Sequence, residues 1–343
     1  MKKIVSILVS MFMLLGLYGC GANNNTNKID NTTAQVSDEK IIKIGITQWP
    51  GSYVWYGVEK RGFFEKNGVK AEVQMFPVYS DGINALASGN IDMFMASYSD
   101  TIAPYKNGSE FKIAMVEDYS AGSDGIVVKD GINSLKDLKG KNVATEFGSV
   151  DQMFLYKCLE KEGLKKDDIN LTNMTIGDAG NAFIAGQVDA AAIWDPSLSL
   201  AVENGGKLLY TTKDTPGLIP AVMAVNNETL ENKRDDVKKI INAWYDGIED
   251  FNTNHDEFVK YVAEEAKISA DDFNKLMSGV KLATLDDNAL AFENSNDNMS
   301  LEYSGKEHAE FLKSAGLIDD VPKDIAPLLD GSIVDEVIKE RKK

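Results

Sequence analysis

The chain has 343 residues, with 53 acidic against 36 basic side chains, a formal charge of -17 and 43% apolar residues. This length exceeds the usual size of one hydrophobic core, so two compact units are expected, and the apolar fraction excludes general disorder. The acid excess excludes a general nucleic-acid binder and a protein held to anionic lipid by its own surface.

Met1 to Cys20 reads as a targeting segment. Lys2 and Lys3 precede an apolar run from Ile4 to Leu17, and Leu17-Tyr18-Gly19-Cys20 follows. The run is shorter than the ~20 residues a spanning helix needs. The ending resembles a lipoprotein signal, in which Cys20 becomes the lipidated first residue. Setting aside Lys2 and Lys3 moves the formal charge from -17 to -19. Residues 21–40 are rich in Asn, Thr, Ser and Gln, cannot bury enough apolar surface to offset chain entropy, and read as a flexible tether. Cys158 is the only other cysteine and lies in a helical pattern, so it reads as a buried structural thiol.

From Ile41 onward, short apolar runs alternate with helical spacing, which is the mark of an α/β chain with a largely parallel sheet. Strands are expected at Ile41–Ile46, Ala71–Met75, Ile91–Met95 and Phe111–Val116, then at Gly125–Val128, Asn142–Thr145, Asn170–Thr175, Ala190–Ile193 and Leu208–Tyr210. The two series repeat at a constant offset of 97. Gly51-Ser52 falls on Gly148-Ser149, Lys60 on Lys157, Glu65 on Glu162, Gly89 on Gly186, and Asp92 on Asp189. Two related lobes are expected, with the first over 41–119, the second over 120–226, and 227–343 returning to the first lobe with a C-terminal helical extension. In that last third, Val222–Val225 reads as a returning strand, Trp244 and Tyr245 as core, and Ile338–Lys343 as a charged tail that frays.

Each Gly-Ser pair ends a loop before a helix, where free backbone N–H groups and the positive end of the helix dipole can meet a ligand. The strands after Asp92 and Asp189 end at Ser97-Tyr98-Ser99-Asp100 and Trp194-Asp195-Pro196-Ser197. Open α/β sheets place ligands at such carboxyl ends, so an interlobe cleft follows. Asp92 and Asp189 themselves read as structural, closing the turn before each strand.

Gly45-Ile46-Thr47-Gln48-Trp49-Pro50-Gly51 and Val58-Glu59-Lys60-Arg61-Gly62-Phe63-Phe64-Glu65-Lys66-Asn67-Gly68-Val69 resemble the opening of the substrate-binding proteins of ABC importers for nitrate, sulfonates, taurine and thiamine precursors. Ala85 to Asp92, Ser134 to Ala144 and Gly186 to Ala191 continue the resemblance, which covers about residues 41 to 285. It implies a two-lobed periplasmic-binding-protein fold of type II, each lobe a mostly parallel sheet flanked by helices. It also implies a monomer that closes around a small solute and delivers it to a membrane permease with its ATPase. Cys20 would anchor such a protein by lipid on the outer face of the cell membrane.

By position the cleft is expected to be lined by Gln48, Trp49, Tyr53, Ser97, Tyr98, Ser123, Asp124, Glu146, Ser149, Asp151, Trp194 and Asp195. No Lys or Arg is among them. Carboxylates beside aromatic faces suit an amino-bearing or aromatic solute, such as a thiamine pyrimidine precursor, held between Trp49 and Trp194. An aliphatic sulfonate, taurine or nitrate is the alternative, since helix starts can hold anions without formal charge. Glu146 and Asp151 flank a helix start, where an acid is favourable without a ligand. An enzyme like the thiamine pyrimidine synthases is the rival class, but His255 and His308 both fall in the C-terminal helical region, and no catalytic, cofactor or metal motif is present.

Overall fold

The computed structural model describes residues 41–215, 217–297 and 299–342. The readings of residues 1–20 as a signal, 21–40 as a tether and Cys20 as a lipidation site lie outside the described residues.

The first sheet contains β1 (Ile42–Thr47), β2 (Ala71–Phe76), β3 (Met93–Ser97), β4 (Phe111–Ser120), β10 (Pro220–Asn226) and β11 (Val280–Leu282), in the order β11-β4-β10-β3-β1-β2. The second contains β5 (Asp124–Val128), β6 (Asn142–Thr145), β7 (Asn170–Asn173), β8 (Ala190–Trp194) and β9 (Lys207–Thr211), in the order β7-β6-β8-β5-β9. In both, three strands run parallel, and the next is antiparallel because the chain enters it from the other lobe. β10 pairs antiparallel with β3 and β4, and β5 with β8 and β9. β10 therefore belongs to the first sheet, although the sequence reading placed 120–226 in the second lobe. The short strand β11 was not anticipated; it pairs with the end of β4.

Helices α1 (Val54–Lys60), α2 (Phe63–Lys66), α3 (Tyr79–Ala87) and α4 (Tyr98–Lys106) belong to the first lobe, and α5 (Val150–Lys161), α6 (Ile176–Ile184) and α7 (Ser197–Glu203) to the second. The offset of 97 carries α3 onto α6 and β3 onto β8 without remainder. It slips at the first strand of each lobe, where Ile44 pairs with Met93 but Val143 pairs with Ala190. The equivalent pair of Ile44 is thus two residues late, and the loop from β6 to α5 absorbs the change. Asp92 and Asp189 do not merely close turns. Their Oδ2 atoms accept from Lys43 N at 2.9 Å and Asn142 N at 3.0 Å, tying each third strand to the start of the first.

The C-terminal third is α8 (Asn227–Thr253), α9 (His255–Ala266), α10 (Ala270–Met277), α11 (Leu285–Ala291), α12 (Leu301–Ser314) and α13 (Ser332–Arg341). The buried face of α8 carries Val237, Ile240, Ile241 and Trp244 at helical spacing. Trp244 stacks at 4.6 Å on Trp55 of α1, so the long helix closes the back of the first lobe. The charged tail does not fray through α13. Ile338 is buried, and Arg341 donates from Nε to Asn242 Oδ1 at 3.0 Å and also bonds Asp246 on α8.

Candidate ligand cleft

The carboxyl ends of β1, β3, β4, β6 and β8 point at the space between the sheets. Thr47 ends β1 and Trp49 follows it, Ser97 ends β3, Trp194 ends β8, and Asp124 opens β5. With Tyr79, Met95, Val150, Ile219 and Ala221, these residues enclose a cavity of about 40 Å³. An adjoining space of about 10 Å³ is bordered by Gln48, Tyr79, Glu146, Ile176 and Trp194. A cavity needs roughly 10–15 Å³ per water, so a solute of more than a few heavy atoms must part the lobes to enter.

Six of the twelve residues read from sequence border these spaces: Gln48, Trp49, Ser97, Asp124, Glu146 and Trp194. Trp49 and Trp194 border the same cavity, and Tyr79 adds a third ring set edge-on at 5.4 Å from Trp194. Asp151 lies one layer behind, against Asp124.

The other five do different work. Tyr53 is buried in the first-lobe core, stacked at 6.2 Å on Tyr56. Tyr98 points away from the cleft and donates to Leu301 O at 2.7 Å, because the first turn of α4 turns its ring under α12. Ser123 is buried where the chain crosses between lobes, close against Gly279. Ser149 donates to Glu146 O at 2.7 Å and shapes its own turn. Asp195 accepts from Ser199 N at 2.9 Å, holding the start of α7.

Residues outside the sequence expectation complete the site. Asp118, on β4, accepts from Trp49 Nε1 at 3.0 and 3.2 Å. Asp100, on the first turn of α4, accepts from Ser99 Oγ at 2.8 Å and from Val150 N at 3.0 Å. Tyr79 Oη accepts from Ser97 N at 3.0 Å and faces Asp100. Asp100 sits three residues past Ser97, in the strand-end segment that the sequence had already marked. Asp118 carried no such signal, because β4 extends four residues beyond the expected Val116.

Burial pushes the carboxyls of Asp100 and Asp118 each up to about 7. Asp124 and Asp151 are raised as well, by burial first and then by neighbouring acids. Among the described residues, Asp124 Oδ2 and both oxygens of Asp151 lack a well-formed hydrogen bond, and the two carboxyls face each other, with Ser120 beside Asp124. Among the described residues, no Lys, Arg or His borders either cleft space. His308 is buried against Tyr98, and His255 bonds Phe251 O and Asn274, so neither histidine faces the cleft. A site with this donor deficit favours a bound group that brings protons or positive charge.

Among the hydrogen bonds that join the lobes, three lie at the cleft. Asp100 takes Val150 N, Glu146 Oε1 takes Ser80 N at 3.3 Å, and Trp194 Nε1 donates to Gln48 O at 3.0 Å.

Comparison with known proteins agrees with this architecture. A family model described as NMT1/THI5 like matches residues 49–257. A Bacillus subtilis (strain 168) protein named for binding aliphatic sulfonates is 30% identical over 250 residues, covering 71% of this chain and 72% of the relative. The taurine-binding periplasmic protein of Escherichia coli (strain K12) is 24% identical over 211 residues, covering 60% and 65%. The fold matches the alkanesulfonate-binding protein SsuA from Xanthomonas axonopodis pv. citri, bound to MOPS, with a TM-score of 0.70 at 20% identity over 84% of this chain and 97% of that one. These names back the sulfonate and taurine alternative ahead of the aminated heterocycle preferred from sequence. The chain has the two-lobed periplasmic-binding-protein fold and belongs to the NMT1/THI5-like family.

Proposed function

We propose that this chain captures a small solute between its lobes outside the cytoplasm and delivers it to the permease and ATPase of an ABC importer, acting as a monomer and not as an enzyme. A lipid on Cys20 holds it beside that permease. The solute is an amino-bearing member of the sulfonate class, of which taurine is the simplest. The names of the relatives support the sulfonate. The observation that carries the amine is Asp124, which borders the cavity, is 1% exposed and has no well-formed hydrogen bond at Oδ2. An ammonium supplies that donor. An aminated aromatic base is the second reading, favoured by the three rings of Trp49, Tyr79 and Trp194.

Calorimetry with taurine, methanesulfonate, nitrate and an aminopyrimidine at pH 6 and pH 8 tests this. Carboxyls titrating near 7 make the sign informative. A cation displaces protons from them, so its affinity rises with pH. A plain anion needs them protonated, so its affinity falls. Taurine is expected to bind at both pH values and to surpass methanesulfonate at pH 8 by at least tenfold, or ~1.4 kcal/mol. Equal affinity for the two at pH 8 would remove the amine from the proposal, and binding of the aminopyrimidine alone would select the second reading.

A further inference from the structure

The two carboxylates that cross the cleft both end on the start of a helix in the opposite lobe. Asp100, from the first lobe, reaches Val150 N, the first residue of α5, at 3.0 Å. Glu146, from the second, reaches Ser80 N in the first turn of α3 at 3.3 Å, and its other oxygen takes Ile176 N at the start of α6 at 3.3 Å. Such N–H groups have no partner inside their helix and lie at the positive end of its dipole. They are the donors a solute anion would use in a cleft without Lys or Arg. Here the protein's own acids use them, while Asp124, which is 1% exposed and borders the cavity, has no well-formed hydrogen bond at Oδ2. Donors for anions are therefore consumed, and acceptors for cations are left over.

We propose that Asp100 and Glu146 are built-in stand-ins for the anionic end of a solute, which latch the two lobes together and set the cleft's selectivity against plain anions. This rests on the reading of the cleft as the solute site and adds the residues that govern its choice. A solute anion gains a helix start only by displacing one of the two carboxylates, whereas an ammonium leaves the latch in place. Asp100 faces Tyr79 and Ser99 from its own lobe and Glu146 and Asp151 from the other.

The test uses two probes that each carry one charge, methanesulfonate and ethylamine, against the wild type, Asp100→Ala and Glu146→Gln. A label pair placed one on each lobe reads the interlobe distance without added solute. Asp100→Ala is expected to lengthen that distance. It should also raise the methanesulfonate-to-ethylamine affinity ratio by at least tenfold. Glu146→Gln should shift both readouts in the same direction by less. Asp100→Asn, nearly isosteric, repeats the distance measurement should the alanine variant fold poorly. An unchanged distance overturns the latch, and an unchanged ratio overturns its role in selectivity. Should neither probe bind any variant while the distance still lengthens, the latch stands and the solute reading fails.

Discussion

The two lobes share an offset, a strand order and a pair of Gly-Ser helix starts, yet they fill those starts differently. In the first lobe, a Cβ on Gly51 would lie 1.9 Å from Asp118 Oδ2, so glycine is there to let the carboxylate approach. Ser52 beside it is wholly buried, with its hydroxyl on Met95 Sδ at 3.2 Å. In the second lobe nothing lies within 4 Å of a Cβ on Gly148, and its φ of +77° supplies the reason for glycine. The same dipeptide is thus a packing device in one lobe and a backbone device in the other. The difference shows that an internal repeat preserves the scaffold while the ligand face diverges. It also shows which lobe contributes rigid acid, Asp118 held by Trp49, and which contributes acid lacking hydrogen-bond donors, Asp124 and Asp151.

Replacing each glycine by alanine is the sharpest way to break the comparison. Gly51→Ala forces a methyl group into a buried carboxylate and is expected to cost ~3 kcal/mol or more in chemical unfolding. Gly148→Ala meets open space and costs only the left-handed backbone, ~1–2 kcal/mol. Equal losses would mean that the two turns serve one purpose.

The pH dependence of stability probes the buried acids directly. Asp100 and Asp118 are raised from an ordinary value of 3.8 to about 7 on folding. The folded chain then binds more protons than the unfolded chain between those limits. Their contribution is complete below about pH 4, declines as pH rises, and is gone above about 7, at up to ~1.4 kcal/mol per pH unit for each group. The melting temperature is expected to fall between pH 4 and pH 8, and Asp118→Asn should flatten that slope. A melting temperature independent of pH in this range would contradict the burial of ionisable acid in the cleft.

How far the sequence reached can be argued from these same residues. The strands at 142–145 and 190–193 were legible because β-branched and small apolar runs sit between turn residues, and the repeat cross-checked them. The cleft was legible as a place, since strand ends are fixed by the fold. Side-chain direction was not. Ser97 and Tyr98 are neighbours, yet Ser97 faces the cavity and Tyr98 faces α12, because the strand passes into α4 between them. Val222–Val225 was legible as a returning strand, but β11 depends on which strand the chain meets after α10, and no local pattern encodes that. Asp100 and Asp118 were missed because burial next to other acids is a property of the assembled lobes.

The smallest expected effect separates the two tryptophans that border one cavity. Trp49 Nε1 donates to both oxygens of Asp118, a bond to an acid within its own lobe. Trp194 Nε1 donates to Gln48 O, a neutral carbonyl in the other lobe. Trp49→Phe strips Asp118 of its donor and is expected to destabilise the fold by ~1.5–3 kcal/mol, the range for hydrogen bonds to charged groups. Because that bond also favours the ionised form, the variant should lift the pH at which Asp118 titrates. Trp194→Phe removes a single neutral bond across the cleft, worth ~1 kcal/mol. Its cost falls on lobe closure and leaves the fold of each lobe unchanged, so solute affinity should drop about fivefold at nearly constant melting temperature, by the usual conversion of energy to equilibrium. Calorimetry and thermal melting on the same two variants read the contrast. Loss of stability in Trp194→Phe as large as in Trp49→Phe would show that the clamp is core packing in both lobes.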